Sequence, residues 1–303
     1  MTSTLPDDLV GAFQIEGEPV RGRAARLGPA IHEILTGHDY PEPVANLLGE
    51  ACALAALVGS ALKFDGRLIL QAQGSGPVRY VVADYDTSGG LRGYCRYDAE
   101  EVAKACEGFL RPGARSLLGD GVFIMTVDQG PDMDRYQGVT AIEGETLALC
   151  AEQYFAQSEQ TPTRVRLAVG QADEGDGEGP QWRAGGVLIQ LIAEDAARGS
   201  TEEAWNRTQA LFETIGEDEL IDPRLPTNTL LWRLFHEDGV RVFGSQPLRA
   251  FCRCSQERIE NVLKSFPAAD RADMVEPDGK IHVTCEYCSR VYAVEPEKLE
   301  TVG

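Results

Sequence analysis

Five runs rich in β-branched and aromatic residues punctuate the first 193 positions of the chain: GAFQIEG (11–17), RLILQAQG (67–74), VRYVVADYD (78–86), GVFIMTVDQG (121–130) and RVRLAVGQ (164–171). Gly, Asp or Pro bounds most of them, the punctuation expected of strands. Gly74-Ser75-Gly76 joins RLILQAQ to PVRYVVADY, so the second and third runs read as an antiparallel hairpin. Two segments have helical character instead. PVANLLGEACALAALVGSALK (43–63) is apolar on nearly every side, which predicts a helix buried against the sheet. EGETLALCAEQYFAQSE (143–159) predicts a second helix. The expectation is an α+β domain over 1–193, with a mostly antiparallel sheet and a buried helix.

The period changes after residue 193. Ser200 and Glu203 have the spacing of a capping box. Trp205, Thr208, Leu211, Phe212 and Ile215 then recur every three to four residues until Gly216. Trp205 and Phe212 are seven apart, two turns, and share one helix face. A second amphipathic helix, TNTLLWRLFHEDG (227–239), presents Leu230, Leu231, Leu234 and Phe235. Two such helices make a thin core alone, so residues 194–250 read as a helical linker that rests on the first domain. The remaining segment, 251–303, is poor in apolar residues. A domain so small rarely stands without a metal or disulfide.

That segment holds four paired cysteines: Cys252 and Cys254 as C-x-C, Cys285 and Cys288 as C-x2-C, with thirty residues between the pairs. Four thiolates suit one tetrahedral Zn²⁺. The second pair lies between two strand-like runs, GKIHVT (279–284) and SRVYAV (289–294), which predicts a zinc knuckle at a hairpin tip. The first precedes a helix, SQERIENVLKSF (255–266). His282 reads as a surface strand residue. The C-x-C spacing is tighter than the two to four residues usual in structural zinc ribbons. A disulfide across it requires a bent backbone and is strained, and strained disulfides are the labile, regulatory ones. Oxidation would remove the thiolates, and so the metal, from a segment with no core to replace them. C-x-C thus suits a reversible redox trigger as well as a metal clasp.

Composition narrows the alternatives. The chain has 303 residues and a formal net charge of −20, which disfavours phosphate backbones and anionic lipids as partners. Residues 251–303 alone carry seven Lys/Arg and ten Asp/Glu, against a zinc-ribbon nucleic-acid module. A zinc hydrolase would keep an open position on its metal, whereas four thiolates close it. A thioredoxin-like oxidoreductase would set its C-x2-C between strand and helix, whereas a strand follows this one. MTSTLPDDLV lacks the basic and apolar parts of a secretory signal. The uncharged run 51–62 falls short of the about 20 residues that span a bilayer. A cytoplasmic protein is expected, with Cys52, Cys95, Cys106 and Cys150 as small buried hydrophobes. Gly74-Ser75-Gly76 joins strands and lacks a following Gly-Lys, so it is no phosphate loop. The acidic stretch 173–179 reads as a hairpin tip.

The C-x-C-x30-C-x2-C array resembles that of the bacterial 33 kDa chaperonin family, redox-regulated heat-shock holdases. LKFDGRLILQAQGSGPV (62–78), YFAQSEQTPTR (154–164), AGGVLIQ (184–190) and LLWRLFHE (230–237) are similar to segments of that family in the same order. The resemblance implies that Cys252, Cys254, Cys285 and Cys288 bind one Zn²⁺ per chain when reduced, in an inactive form. It implies that oxidation pairs Cys252 with Cys254 and Cys285 with Cys288, unfolds zinc domain and linker, and yields a homodimer that holds unfolding client proteins without ATP. Trp205, Leu211, Phe212 and Ile215 are then the candidate gate: in the reduced form this face should cover apolar surface on the first domain.

Overall fold

The long apolar run forms α2 (Glu42–Gly59), whose length and composition would let it cross a membrane. Its surroundings are instead two β-sheets, one on each side, and its apolar residues from Val44 to Leu57 are buried. The computed structural model describes residues 7–63, 65–108, 111–130, 133–173, 175, 177–192 and 201–299. Among these, β1 (Leu9–Ile15), β2 (Val20–Leu27), β8 (Thr163–Ala172), β9 (Gln181–Leu191) and β10 (Val240–Pro247) build the first sheet, antiparallel throughout, in the order β10-β1-β2-β9-β8. The second contains β3 (Arg67–Gly74), β4 (Val78–Asp86), β5 (Gly90–Tyr97), β6 (Gly121–Asp128), β7 (Tyr136–Ala141) and the short β11 (Arg249–Ala250). Its order is β11-β5-β4-β3-β6-β7, and only β11 runs parallel to its neighbour.

Alternation explains how one sheet serves two cores. Along β2, Ala25 and Leu27 belong to the α2 core, while Val20 and Ala24 belong to a second core on the opposite face. α1 (Pro29–Thr36), α3 (Ala99–Ala105), α4 (Ala114–Leu118) and α5 (Leu147–Ser158) complete the first core. At Gly49 a Cβ would lie 2.7 Å from Val169, so glycine lets α2 settle closely on β8. The second core is roofed by α6 (Thr201–Phe212), α7 (Glu217–Ile221) and α8 (Thr227–Phe235).

The mixed architecture matches the expectation, and the five runs account for β1, β3, β4, β6 and β8. β2 and β5 carry arginine and glycine where β-branched residues would have signalled them, in VRGRAARL and GLRGYCRY. One expectation needs correction: the helical segment does not continue to residue 250. Gly239, at φ +81°, ends the turn after α8, and Val240–Pro247 then forms the edge strand β10, paired with β1. Ser200 of the capping box, and the expected boundary at 193/194, lie outside the described residues. Cys52, Cys95 and Cys150 are buried, but Cys106 is only half-buried, at the end of α3.

The chain divides into two compact units, 1–250 and 251–303. The second holds α9 (Gln256–Lys264), α10 (Ala268–Asp273), the hairpin β12 (Ile281–Thr284) and β13 (Val291–Val294), and a 3-10 turn at Pro296–Leu299. Its buried apolar cluster consists of Leu263, Ile281, Val294 and Leu299, flanked by Ile259, Met274 and Val283.

Candidate metal centre

The β12–β13 hairpin continues past its last pair, Thr284 and Val291, through Cys285 N–H donating to Arg290 O at 2.9 Å. The chain then closes a tight tip, with Ser289 N–H donating to Cys285 O at 2.8 Å and Ser289 itself at φ +56°. This turn carries Cys285 and Cys288. The other pair arrives on the segment entering α9. Ser255 caps that helix by accepting from Arg258 N–H at 3.2 Å, so Cys254 stands one residue before the cap. In an extended chain residues i and i+2 point to one side, which lets C-x-C present both sulfurs to a knuckle opposite.

All four sulfurs lie within 4.8 Å of one another. Cys252 Sγ is 3.6 Å from Cys285 Sγ, and Cys254 Sγ is 3.4 Å from Cys288 Sγ. A tetrahedron with Zn–S bonds of about 2.3 Å has edges of about 3.8 Å, so the donor set and its spacing fit Zn²⁺. The electrostatics agree. Burial pushes the Cys288 thiol up to about 12 and raises Cys252 as well. Burial also opposes ionisation of Cys254, but the Tyr292 hydroxyl, donating at 3.0 Å, and the neighbouring thiols outweigh it and hold that thiol at about 7. One thiolate forms readily, whereas Cys252 and Cys288 resist adding negative charge without a cation among them.

His282 stays outside the cluster and pairs with Asp278 at 2.8 Å on the hairpin surface. Tyr292 escaped sequence reasoning. Its signal was the period of β13, in which Tyr292 and Val294 are buried while Val291 and Ala293 are exposed.

The residues expected on the linker face are brought together on the first sheet. Trp205, Phe212 and Ile215 are buried in the second core with Phe13, Ile15, Val187 and Ile189, and Leu211 is half-buried at its margin. Thr208, on the same side of α6, is buried too.

The family model described as Hsp33 protein matches residues 8–295. A 33 kDa chaperonin of Caulobacter vibrioides is 76% identical over 290 residues, covering 96% of this chain and 95% of that protein. One from Cronobacter sakazakii is 35% identical over 288 residues, covering 95% and 92%. The crystal structure of the 33 kDa chaperonin (heat shock protein 33 homolog) of Thermotoga maritima superposes with a TM-score of 0.77 at 23% identity, covering 96% of each chain. The match runs from the start of β1 to the residue after β13, across both sheets and all four cysteines, and the chain belongs to the Hsp33 family.

Proposed function

We propose that the chain is a redox-controlled chaperone, an ATP-independent holdase and not an enzyme, working in the cytoplasm on unfolding proteins without nucleic acid or membrane as partner. The observation that carries this reading is four sulfurs within 4.8 Å in a unit whose buried apolar cluster has four side chains. Cys252, Cys254, Cys285 and Cys288 would hold one Zn²⁺ per chain in the reduced form. Bound there, the metal keeps all four sulfurs deprotonated and ties the α9 entry to the knuckle, a bond worth about 10–16 kcal/mol in small peptides.

Oxidation acts on the same atoms. A thiolate attacks a two-electron oxidant such as a peroxide to give a sulfenic acid, and the second thiol of its pair condenses with it to a disulfide. Each disulfide consumes two thiols and one peroxide and releases two waters. Cys252–Cys254 and Cys285–Cys288 together withdraw all four donors, and the cluster around Leu263 and Val294 is too small to hold the unit folded. The consequence passes to residues 201–239, whose apolar face covers the first sheet. Released, that face and the surface beneath it would bind clients, and the oxidised chain would pair as a homodimer. The names of the family relatives, 33 kDa chaperonins, support the chaperone reading.

Light scattering of a heat-unfolding client tests the proposal, with reduced, zinc-loaded protein beside peroxide-oxidised protein. Suppression by the oxidised form alone is expected. Equal suppression by both, or disulfide turnover with little holding, would refute it.

A further inference from the structure

The roof over the first sheet is not held by apolar contact alone. Between α7 and α8 the chain turns at 221–225, and its backbone carbonyls meet two buried guanidiniums rising from the sheet. Arg183 on β9 is 1% exposed, and its Nε donates to Ile221 O at 2.9 Å. Arg26 on β2 is 5% exposed, and donates to Asp222 O at 2.6 Å and to Leu225 O. The fit is close: a Cβ at Gly185, beside these arginines on β9, would lie 2.2 Å from Leu220 O.

A guanidinium stays charged at any physiological pH. Two such charges under one turn need a counterion, and it comes from the segment ahead of β1. Asp7 Oδ1 accepts from Arg26 Nε at 2.5 Å and from Arg183 Nη2 at 2.6 Å, while Oδ2 accepts from the same Arg183 nitrogen at 2.6 Å. One carboxylate thus bridges both cations that grip the turn. Its neighbour Asp8 fixes the segment by accepting from Gly28 and Ala30 N–H at 2.9 and 3.0 Å, at the start of α1.

We propose that Asp7 is the latch of the roof: docking of residues 217–225 on the sheet requires the Asp7 carboxylate between Arg26 and Arg183. Without it two buried like charges lose the carboxylate that lies between them, and they gain water in its place only if the turn lifts. Seating of residues 7–8 and docking of the roof are then one cooperative event. The consequence for activity rests on the reading that the roof gates client binding; the latch itself does not.

The test uses full-length, reduced, zinc-loaded protein and follows hydrogen exchange in two stretches, 217–226 of the roof and 67–74 of the α2 core. In Asp7→Asn, exchange in 217–226 should quicken at least tenfold while 67–74 and the zinc content keep parental values. Arg26→Gln removes the donor to Asp222 and Leu225 yet leaves Asp7 paired with Arg183, and should loosen the same stretch. It decides the matter if Asp7→Asn fails to fold. Parental protection of 217–226 in the variants overturns the latch. Lost protection together with holdase activity under reducing conditions supports both latch and gate. Lost protection without activity supports the latch and overturns the gate.

Discussion

The Tyr292 hydroxyl donates to Cys254 Sγ over 3.0 Å, from the inward face of β13 to the sulfur one residue ahead of the α9 cap. The bond favours the thiolate form of one donor and aims its sulfur into the cluster. A thiol held near 7 is substantially ionised at neutral pH, and thiolates are the form that reacts.

In reduced, zinc-loaded protein, Tyr292→Phe should therefore lose its metal at a higher pH than the parent on acidification, because protons compete better for Cys254 once its hydrogen bond is gone. Zinc content followed through an acid titration reads this directly. An unshifted release curve would mean that the neighbouring thiols alone set the ionisation of Cys254.

Removing the metal under reducing conditions should melt the second unit and spare the first. The cluster of Leu263, Ile281, Val294 and Leu299 is a small fraction of what a stable domain buries, whereas α2 is enclosed by two sheets. A chelator with reductant should abolish amide protection in 256–264 and 281–294 and leave 67–74 and 121–128 protected. Persistent protection of the hairpin without metal would contradict a metal-dependent fold.

Disulfide connectivity separates folded-state geometry from chain entropy. Close sulfur contacts run between the pairs, Cys252 to Cys285 at 3.6 Å and Cys254 to Cys288 at 3.4 Å. A disulfide formed within the folded cluster could join either. Once the unit melts, the short loops of C-x-C and C-x2-C close far more easily than loops of more than thirty residues. We expect Cys252–Cys254 and Cys285–Cys288 to dominate in non-reducing peptide maps. A majority of cross-pair peptides would place oxidation ahead of unfolding.

What could be read from sequence divides along the same physical line. The buried helix 43–63, the knuckle and the apolar side of α6 announce themselves through local pattern, because each depends on residues near in sequence. The arginine-bearing strand β2 does not. VRGRAARL looks like a solvated segment until β9 and the turn at 221–225 supply partners for Arg26. The edge strand β10 was hidden in the same way, since its pairing with β1 spans most of the first unit. Asp7, Arg26 and Arg183 come together only in the fold, and no spacing in the chain connects them.

Glu50 makes the first unit sensitive to pH. It lies half-buried on α2, and its pKa rises to about 7, through burial first and the nearby Glu217 second. The folded protein therefore holds this proton more tightly than the unfolded chain does. The stability tied to Glu50 is complete below about pH 4.5 and is lost as pH rises toward 7. Solvent reaches the carboxyl through the cleft it lines, which limits the effect to about 1–2 kcal/mol. Glu50→Gln should be more stable than the parent at pH 8 and nearly equal to it at pH 4.5, as measured by urea unfolding. A gap that does not grow with pH would exclude this carboxyl as the source.

In the proposed gate, Trp205 and Phe212 stand two turns apart on α6, buried in one cluster with Phe13, Ile15 and Ile189. Truncating one buried aromatic side chain to Ala costs about 3–5 kcal/mol, and two that share a core need not add. Local docking of an element of this size is commonly worth only a few kcal/mol. Trp205→Ala with Phe212→Ala should therefore shift residues 201–239 to a released state while Cys252, Cys254, Cys285 and Cys288, in the other unit, still bind zinc. The expected outcome is suppression of client aggregation by reduced protein, with one zinc per chain measured on the same sample. Protease should cut between 201 and 239 in the double variant and not in the parent. A reduced, zinc-loaded variant that is protease-sensitive but inactive would show that exposing this face is not enough. One that is both resistant and inactive would show that docking survives the loss of both rings, and the hold on the roof would then lie with the carbonyl contacts of Arg26 and Arg183.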